Sequence, residues 1–290
     1  MSPRRAHAFA LVAAAVLFST GGAAIKACSL AGPQIACLRA AVSALAVAIL
    51  LPESRRAWDA PSLVVGCAYA GGMTLFALAN KLTTAANTIF LQSAAPLYIA
   101  VLSPLLLREP ARRRDVALLV VLGAGLTLFF VGAPQGPALT ATDPPRGNAL
   151  AVLSGVSIAL MMVGLRWLAR RGGGGGAPAV LMGNLIAFWV TLPSALPFAK
   201  APRTEDLLIL AYLGVFQIGL AYALVTRALR HLPALEASML LLVEPVLNPV
   251  WAWLIHGEVP GVLPAWGGVL ILGATATKVV LDGTPTPGGS

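Results

Sequence analysis

Charged residues are scarce in this chain of 290 residues. Asp, Glu, Lys and Arg together make up 11% of it, whereas an average soluble protein carries roughly a quarter. Hydrophobic residues make up 58%, and the mean hydropathy is +0.84. Because so little charge cannot cover a folded surface, the composition excludes an ordinary soluble domain and predicts a protein embedded in a lipid bilayer.

Cysteine and histidine are also rare, with three of each. The cysteines lie in or beside apolar runs, without the close spacing of a metal site or the even number of a disulfide framework. His7 and His231 are predicted near the cytoplasmic ends of helices and His256 near an external end, so the three do not form one site. The sequence contains no His-Glu-x-x-His helix and no Gly-x-Ser-x-Gly elbow. We therefore expect no metal, no cofactor and no enzymatic activity.

Acidic residues are outnumbered by basic ones, 11 to 20, which gives a net charge of +9. Nucleic-acid binding would require the basic residues to share one solvated face, but here they lie between apolar runs, so no nucleic-acid partner is expected. Placing the N-terminus inside puts fourteen Lys and Arg residues in cytoplasmic loops and five in external ones. Since positive residues are retained on the cytoplasmic side, both termini are predicted to be cytoplasmic, in a bacterial-type inner membrane.

Ten long apolar runs account for most of the chain. A membrane barrel would need strands of alternating polarity, whereas these runs are apolar on every face, so the prediction is an all-α polytopic membrane protein with ten transmembrane helices. The predicted helices cover residues 6–26, 33–51, 63–82, 84–107, 116–133, 148–168, 178–198, 207–229, 234–256 and 262–281.

The two halves of the chain are related in sequence. Pro96 precedes Glu109 by thirteen residues in the fourth predicted helix, and Pro245 precedes Glu258 by the same distance in the ninth. Each half holds five predicted helices, so the second half lies upside down relative to the first. Two inverted five-helix repeats are typical of secondary transporters. The predicted organisation is a first repeat over 1–133, an external linker over 134–147 and a second repeat over 148–290.

The repeated segments resemble the EamA-type transporters of the drug/metabolite transporter superfamily. The matching pieces are 79–109 with 118–132 and 228–258 with 266–280, and Pro33 followed by Arg39 also fits the second helix. In overall look the chain is closest to YddG-type amino-acid exporters. The resemblance implies an exporter of small metabolites, foremost amino acids, that works by alternating access around a midplane cavity as a monomer or homodimer in the lipid bilayer.

Other functions stay open at this point. The same fold transports drug-like molecules, nucleotide sugars or lipid-linked sugars, and a passive channel or an intramembrane enzyme would be a different class of protein. A duplication in a purely structural membrane protein would also produce the repeat.

Polar residues inside apolar runs are the candidates for function, because burying them in lipid is costly. Glu244, Asn248 and Trp251 are spaced to share one helix face and would bind an ammonium group together. Alternatively, Glu244 accepts hydrogen bonds where Pro245 interrupts the helix. Glu244 and Glu236 are the candidates for proton or ion coupling.

The remaining cavity candidates are side chains on several helices at similar depth. Each would otherwise form an ordinary hydrogen bond or packing contact between helices. They are Phe18, Ser19, Met73, Asn80, Asn87, Tyr98, Met161, Met162, Gln217 and Tyr222.

A structural or gating role is predicted for a third set: Arg39, Pro96, Glu109, Pro245 and Glu258. Arg39 is close enough to a helix end to reach the external surface, or it pairs with carbonyl groups or with Glu244. Glu109 and Glu258 are expected to complement the dipoles at the starts of the fifth and tenth helices.

Overall fold

The computed structural model describes residues 3–56, 58–83, 85–110, 112–131, 142–171, 175–197, 201–256 and 262–282. The regular structure within these ranges is helical throughout. The α-helices are α1 (Pro3–Ser19), α2 (Gly21–Ala27), α3 (Gly32–Leu50), α4 (Ala60–Leu82), α5 (Ala85–Gln92), α6 (Ala95–Leu107), α7 (Arg113–Val131), α8 (Pro144–Arg171), α9 (Ala177–Ala195), α10 (Thr204–Tyr212), α11 (Ala221–Ala228), α12 (Ala234–Leu241), α13 (Val243–His256) and α14 (Val262–Asp282). A short 3₁₀ turn covers Pro52–Arg55, and a π-helical segment, Leu213–Leu220, joins α10 to α11.

Each of the ten predicted apolar runs lies on one helix or on consecutive helices. Seven segments of the described chain are long and apolar enough to cross a membrane: Arg4–Ile25, Gly32–Leu50, Ala60–Leu82, Thr88–Leu107, Pro144–Arg171, Ala177–Ala195 and Thr204–Ala228. The other three runs form α7, α12 with α13, and α14, which are helical without reaching that threshold in their described residues. The all-helical membrane fold is confirmed, and ten spans are consistent with it.

The fourth and ninth predicted helices are both interrupted. α5 ends at Gln92 and α6 begins at Ala95, whereas α12 ends at Leu241 and α13 begins at Val243. In each case a proline follows near the start of the second helix, Pro96 or Pro245. Proline has no amide hydrogen to donate to the carbonyl four residues earlier, so the helix breaks at the same place in both halves.

Close helix packing depends on glycine. α4 packs against α8 and α9, α3 against α9 and the π-helical segment, α1 against α11, and α7 against α14. Between α4 and α9, a Cβ atom added to Gly183 would lie 2.5 Å from Cδ1 of Tyr69. Small residues let helix backbones approach where lipid supplies no hydrophobic driving force between helices.

Four contacts between the two halves lie at the end of the bundle that carries the N-terminus, called here the N-terminal end. Arg4 pairs with Glu236 at 2.6 Å, Glu109 with Arg166 at 2.9 Å, and Glu53 with Arg230 at 3.2 Å. The rings of His7 and His231 stack with centroids 4.0 Å apart.

Glu109 therefore differs from its predicted role as a helix-start acid. Its carboxylate accepts from the guanidinium of Arg166 and lies 3.6 Å from that of Arg170. The acid in the first turn of α7 is Asp115, whose side chain accepts from the backbone amide of Arg112 at 3.0 Å. Glu109 is too far before α7 for this position, and the end of α8 offers it cations instead.

Candidate functional site

A cavity of about 90 Å³ lies among α1, α3, α4, α8, the π-helical segment, α11 and the two interrupted helices. Pockets for drug-sized ligands are larger, about 300–1,000 Å³. In this conformation the cavity therefore suits a small molecule.

The two halves contribute equivalent positions to the cavity wall. Six pairs of lining residues are each separated by 149 residues, the spacing that relates the two halves of the sequence. They are Met73 with Tyr222, Phe76 with Val225, Gln92 with Leu241, Ser93 with Leu242, Ala95 with Glu244, and Pro96 with Pro245. The cavity lies where the two interrupted helices face each other.

Both helix interruptions lie among residues that line the cavity. Pro96 and Pro245 cannot donate to the carbonyls of Gln92 and Leu241, which are themselves lining residues. Because the two halves are related by the 149-residue spacing, the same four positions of each interrupted helix line the cavity: Gln92, Ser93, Ala95 and Pro96 in the first half, and Leu241, Leu242, Glu244 and Pro245 in the second. Unwound backbone of this kind is tolerated at membrane depth when it lines a cavity.

Tyr222 is held rigidly at the cavity by other rings. Its ring meets Phe18 edge-on at 5.1 Å and Tyr69 edge-on at 4.8 Å between centroids. Its hydroxyl lies 3.5 Å from the sulfur of Met161 and 3.9 Å from that of Met73. Thioethers are weak acceptors, so this hydroxyl remains able to donate to a better partner in the cavity.

Arg39 is buried, with 4% of its surface exposed. It does not extend to the external surface as one of the predicted alternatives required, because α3 packs against α4, α9 and the π-helical segment around it. Its Nη2 donates to the backbone carbonyl of Met73 at 3.2 Å. It lines the central cavity and also a second space of about 10 Å³ beside Thr74 and Asn184.

Gln217 places a second polar group at the cavity. The residue is 5% exposed, and among the described residues its side-chain oxygen has no hydrogen-bond partner. Its amide lies against Gly21, where an added Cβ would come within 2.7 Å of Nε2. Within the described structure, Gln217 therefore packs against Gly21 and carries an acceptor without a protein partner. Glu244, on α13, adds a carboxylate to the same wall.

The sequence matches the model of the EamA-like transporter family over residues 5–131 and again over 145–278. The chain belongs to this family. This EamA-like chain is therefore an integral membrane transporter of the drug/metabolite superfamily, with a small molecule as its substrate and lipid as its surroundings. Its family consists of transporters rather than enzymes.

Among the solved structures that resemble this EamA-like transporter is a crystal structure with a TM-score of 0.78, over 95% of this chain and 97% of the other. The two sequences are 20% identical, so the likeness concerns the fold alone. No curated protein matches the sequence.

The structure brings seven of the predicted cavity residues together in the transporter. They are Phe18, Met73, Met161, Met162, Gln217, Tyr222 and Glu244, and Arg39, Pro96 and Pro245 join them from the structural or gating set.

Several other predicted residues lie outside the cavity lining. The indole nitrogen of Trp251 donates to the hydroxyl of Ser19 at 2.8 Å, and Asn80 donates to the carbonyl of Phe76 in its own helix at 3.1 Å. Tyr98 packs against the main hydrophobic core. Glu236 is buried in its ion pair with Arg4 at the N-terminal end.

Three predicted positions are outside the described part of the chain: the side chains of Asn87 and Asn248, and the whole of Glu258.

The prediction missed apolar lining residues such as Ile158, Ile218 and Val225. Helical spacing carried a signal for them, because Ile158 precedes Met161 by three residues and Val225 follows Tyr222 by three. An apolar residue in an apolar helix gives no indication by itself of whether it faces lipid, a neighbouring helix or a cavity. Within the described residues, no three His, Cys, Asp or Glu side chains are close enough to hold a metal.

Proposed function

We propose that this transporter exports small metabolites, foremost amino acids, by alternating access around the central cavity. The observation that carries the proposal is the charge of the wall: Arg39 comes from the first half and Glu244 from the second. A zwitterion offers a carboxylate and an ammonium group to such a wall, and the aromatic and aliphatic residues around them accept varied side chains.

The size of the cavity favours this cargo over the larger alternatives. About 90 Å³ is well below the usual pocket for a drug-sized ligand, and a nucleotide sugar or lipid-linked sugar is larger still. Arg39 is the one Lys or Arg residue in the described lining. A multiply anionic nucleotide would need more positive charge than that.

Alternating access is supported by the equivalent positions on both sides of the cavity and by the contacts between halves. Ion pairs join the halves at the N-terminal end, and the opposite end is joined by Asp206, whose carboxylate accepts from the amide and hydroxyl of Ser29 at 2.7 Å each. Contacts of this kind can break at one end while they form at the other. We propose that the N-terminal end faces the cytoplasm, because the loops on that side carry fourteen Lys and Arg residues and the loops on the opposite side carry five.

The test is exchange across a membrane. Purified protein in liposomes is expected to exchange labelled amino acids, with saturation and with faster flux when unlabelled amino acid is present on the other side. Correctly folded protein that exchanges none of the twenty L-amino acids would reject the proposal. Flux that neither saturates nor responds to amino acid on the opposite side would indicate a channel.

Glu244 is our candidate for proton coupling, since it lies at the cavity whereas Glu236 is paired with Arg4 away from it. In the same liposomes an imposed pH gradient is expected to drive amino-acid movement through the wild type but not through Glu244→Gln. If the pH gradient drives amino-acid movement equally through the wild type and Glu244→Gln, Glu244 does not couple transport to protons. The proposal of amino-acid exchange would be unaffected by that result.

A further inference from the structure

Burying the charged side chain of Arg39 has a high free-energy cost. Taking a guanidinium out of water costs several kcal/mol unless a partner compensates, and ionisable residues inside membrane helices usually mark a substrate pathway. In the described part of the chain, no carboxylate forms an ion pair with Arg39. One backbone carbonyl, that of Met73, accepts from it, although a guanidinium has five N–H donors.

The fold does not require a cation at this place. Pro33 precedes Arg39 by six residues, and Pro178 precedes Asn184 by six in the second half. Asn184 is equally buried, at 3% exposed, and the two residues line the same small space between α3 and α9. A neutral amide thus satisfies the equivalent packing, so helix association at this kind of position does not require a charge.

The surroundings of Arg39 suit a carboxylate. It shares the cavity wall with Phe18, Met73 and Tyr222 and also with polar residues such as Gln217 and Glu244, and it is the one Lys or Arg in the described lining, so an anion in the cavity would be held mainly by this guanidinium. Carboxylates match the planar donor geometry of arginine. A single cation balances a monoanion, whereas a phosphate dianion would remain undercompensated.

We propose that Arg39 binds the carboxylate of the transported molecule and is the residue that orients it in the cavity. The inference rests on the proposed function and adds the direction of binding. The carboxylate lies toward α3 in the first half, and the rest of the molecule extends toward Glu244 and the interrupted α12–α13 in the second. Because Ala95 and Asn184 occupy the equivalents of Glu244 and Arg39, the charges make the otherwise symmetric cavity directional.

The test varies the protein and the ligand together. The probes are the tightest-binding of the twenty L-amino acids, its α-amide and its desamino carboxylic acid, each titrated against purified full-length protein. The variant Arg39→Asn introduces the residue that the fold accepts at position 184, and Arg39→Met removes the charge while keeping an extended side chain. Arg39→Lys keeps the charge. Arg146→Asn is the control, since that arginine is exposed and pairs with Asp143.

We expect both neutral variants to weaken binding of the amino acid and the desamino acid about tenfold or more. The amide, which has no carboxylate, should change by less than about twofold, Arg39→Lys should restore part of the loss, and Arg146→Asn should change nothing. Thermal stability of the neutral variants should stay equal or rise, because an unpaired buried charge is removed.

Equal weakening of all three probes, or of none, would overturn the inference while the amino-acid function stands. Failure of both neutral variants to fold while Arg39→Lys folds would also overturn it, since Arg39 would then be structural. If the wild type binds desamino acids but no amino acid, and binding depends on Arg39, the amino-acid proposal falls and the carboxylate site remains. Folded wild-type protein that binds no carboxylate of either kind would reject both.

Discussion

Tyr222 and Tyr69 are neighbouring residues with contrasting hydroxyl groups. Their rings pack edge-on, but the Tyr69 hydroxyl accepts from Asn184 at 3.1 Å, within the contact of α4 with α9. In the described structure, the hydrogen-bond partners of the Tyr222 hydroxyl are methionine sulfurs. One hydroxyl therefore belongs to helix association and the other to the cavity.

Exchanging each tyrosine for phenylalanine should separate these roles. Tyr69→Phe removes an interhelical hydrogen bond, worth on average about 0.6 kcal/mol in membrane proteins, and should lower thermal stability without changing substrate affinity. Tyr222→Phe should leave stability nearly unchanged and weaken amino-acid binding by about three- to tenfold, the range for a single hydrogen bond. Thermal unfolding in detergent and ligand titration measure the two effects. The assignment fails if Tyr222→Phe binds like the wild type.

The partner of Arg39 could not be predicted from its own position in the sequence. Its sequence position was compatible with reaching the external surface, with pairing to carbonyls or with pairing to Glu244. The structure selects the carbonyl, because α4 and α9 cover the side chain and Met73 lies within reach. That outcome depends on the helices that surround α3, which the local sequence does not specify.

At the scale of helices, glycine decides how closely the two halves approach. Gly183 on α9 lies against the fully buried ring of Tyr69 on α4. Gly123 on α7 has nothing within 4 Å of the position that a Cβ would occupy. The two glycines are alike in sequence context, each inside an apolar helix, but only the first is in a tight contact.

Alanine at these positions should therefore have opposite effects. Gly183→Ala places a methyl group 2.5 Å from Cδ1 of Tyr69, and overpacking of this kind costs about 1–3 kcal/mol, so we expect a clearly lower melting temperature. Gly123→Ala is the matched control and should leave stability unchanged or slightly higher, since alanine favours helix over glycine. Equal melting temperatures for the two variants would show that α4 and α9 are not packed as described.

The interrupted helices are the second feature of this scale. Pro96 and Pro245 each follow an interruption, whereas Pro104 in α6 and Pro193 in α9 lie inside continuous helices, so a proline alone does not determine where a helix breaks. That the two disturbances face one cavity was not predictable from either helix alone. It follows from the packing of α6 against α12.

Over the whole molecule, ion pairs at the N-terminal end join the halves. Arg166 is central among them: besides pairing with Glu109, it donates to the backbone carbonyls of Leu229 and Arg230 at 2.9 and 3.2 Å. These groups come from α8, from the end of α6 and from the turn after α11. For the cavity to open toward this end, contacts of this kind must separate.

Weakening this end should expose the cavity. Glu109→Gln removes the charge from a pair that is 14% and 18% exposed, which should cost about 1–3 kcal/mol and raise the open population by about five- to 150-fold. The readout is the labelling rate of a cysteine placed at Ser238, a lining residue, by an impermeant thiol reagent from the N-terminal side, with the three native cysteines replaced.

Asp143→Asn provides the matched control, because its partner Arg146 lies three residues away on the same segment and the pair does not join the halves. Labelling should not change in this variant. If Glu109→Gln labels no faster than Asp143→Asn, the ion pairs do not hold this end closed.

The sequence by itself determined the membrane fold, the positions of the helices and the transporter family. These follow from properties that act locally or repeat along the chain: continuous apolar runs force backbone hydrogen bonds into helices, and the equal spacing of Pro96 to Glu109 and Pro245 to Glu258 relates the halves. Only the tertiary structure decided which polar residues meet. Met73, Tyr222 and Arg39 face the cavity, whereas Trp251, Asn80 and Glu236 have partners elsewhere. The reason is that an apolar helix carries no strong amphipathic pattern to show its inner face, so its rotation is set by the neighbouring helices and by the glycines that let them approach.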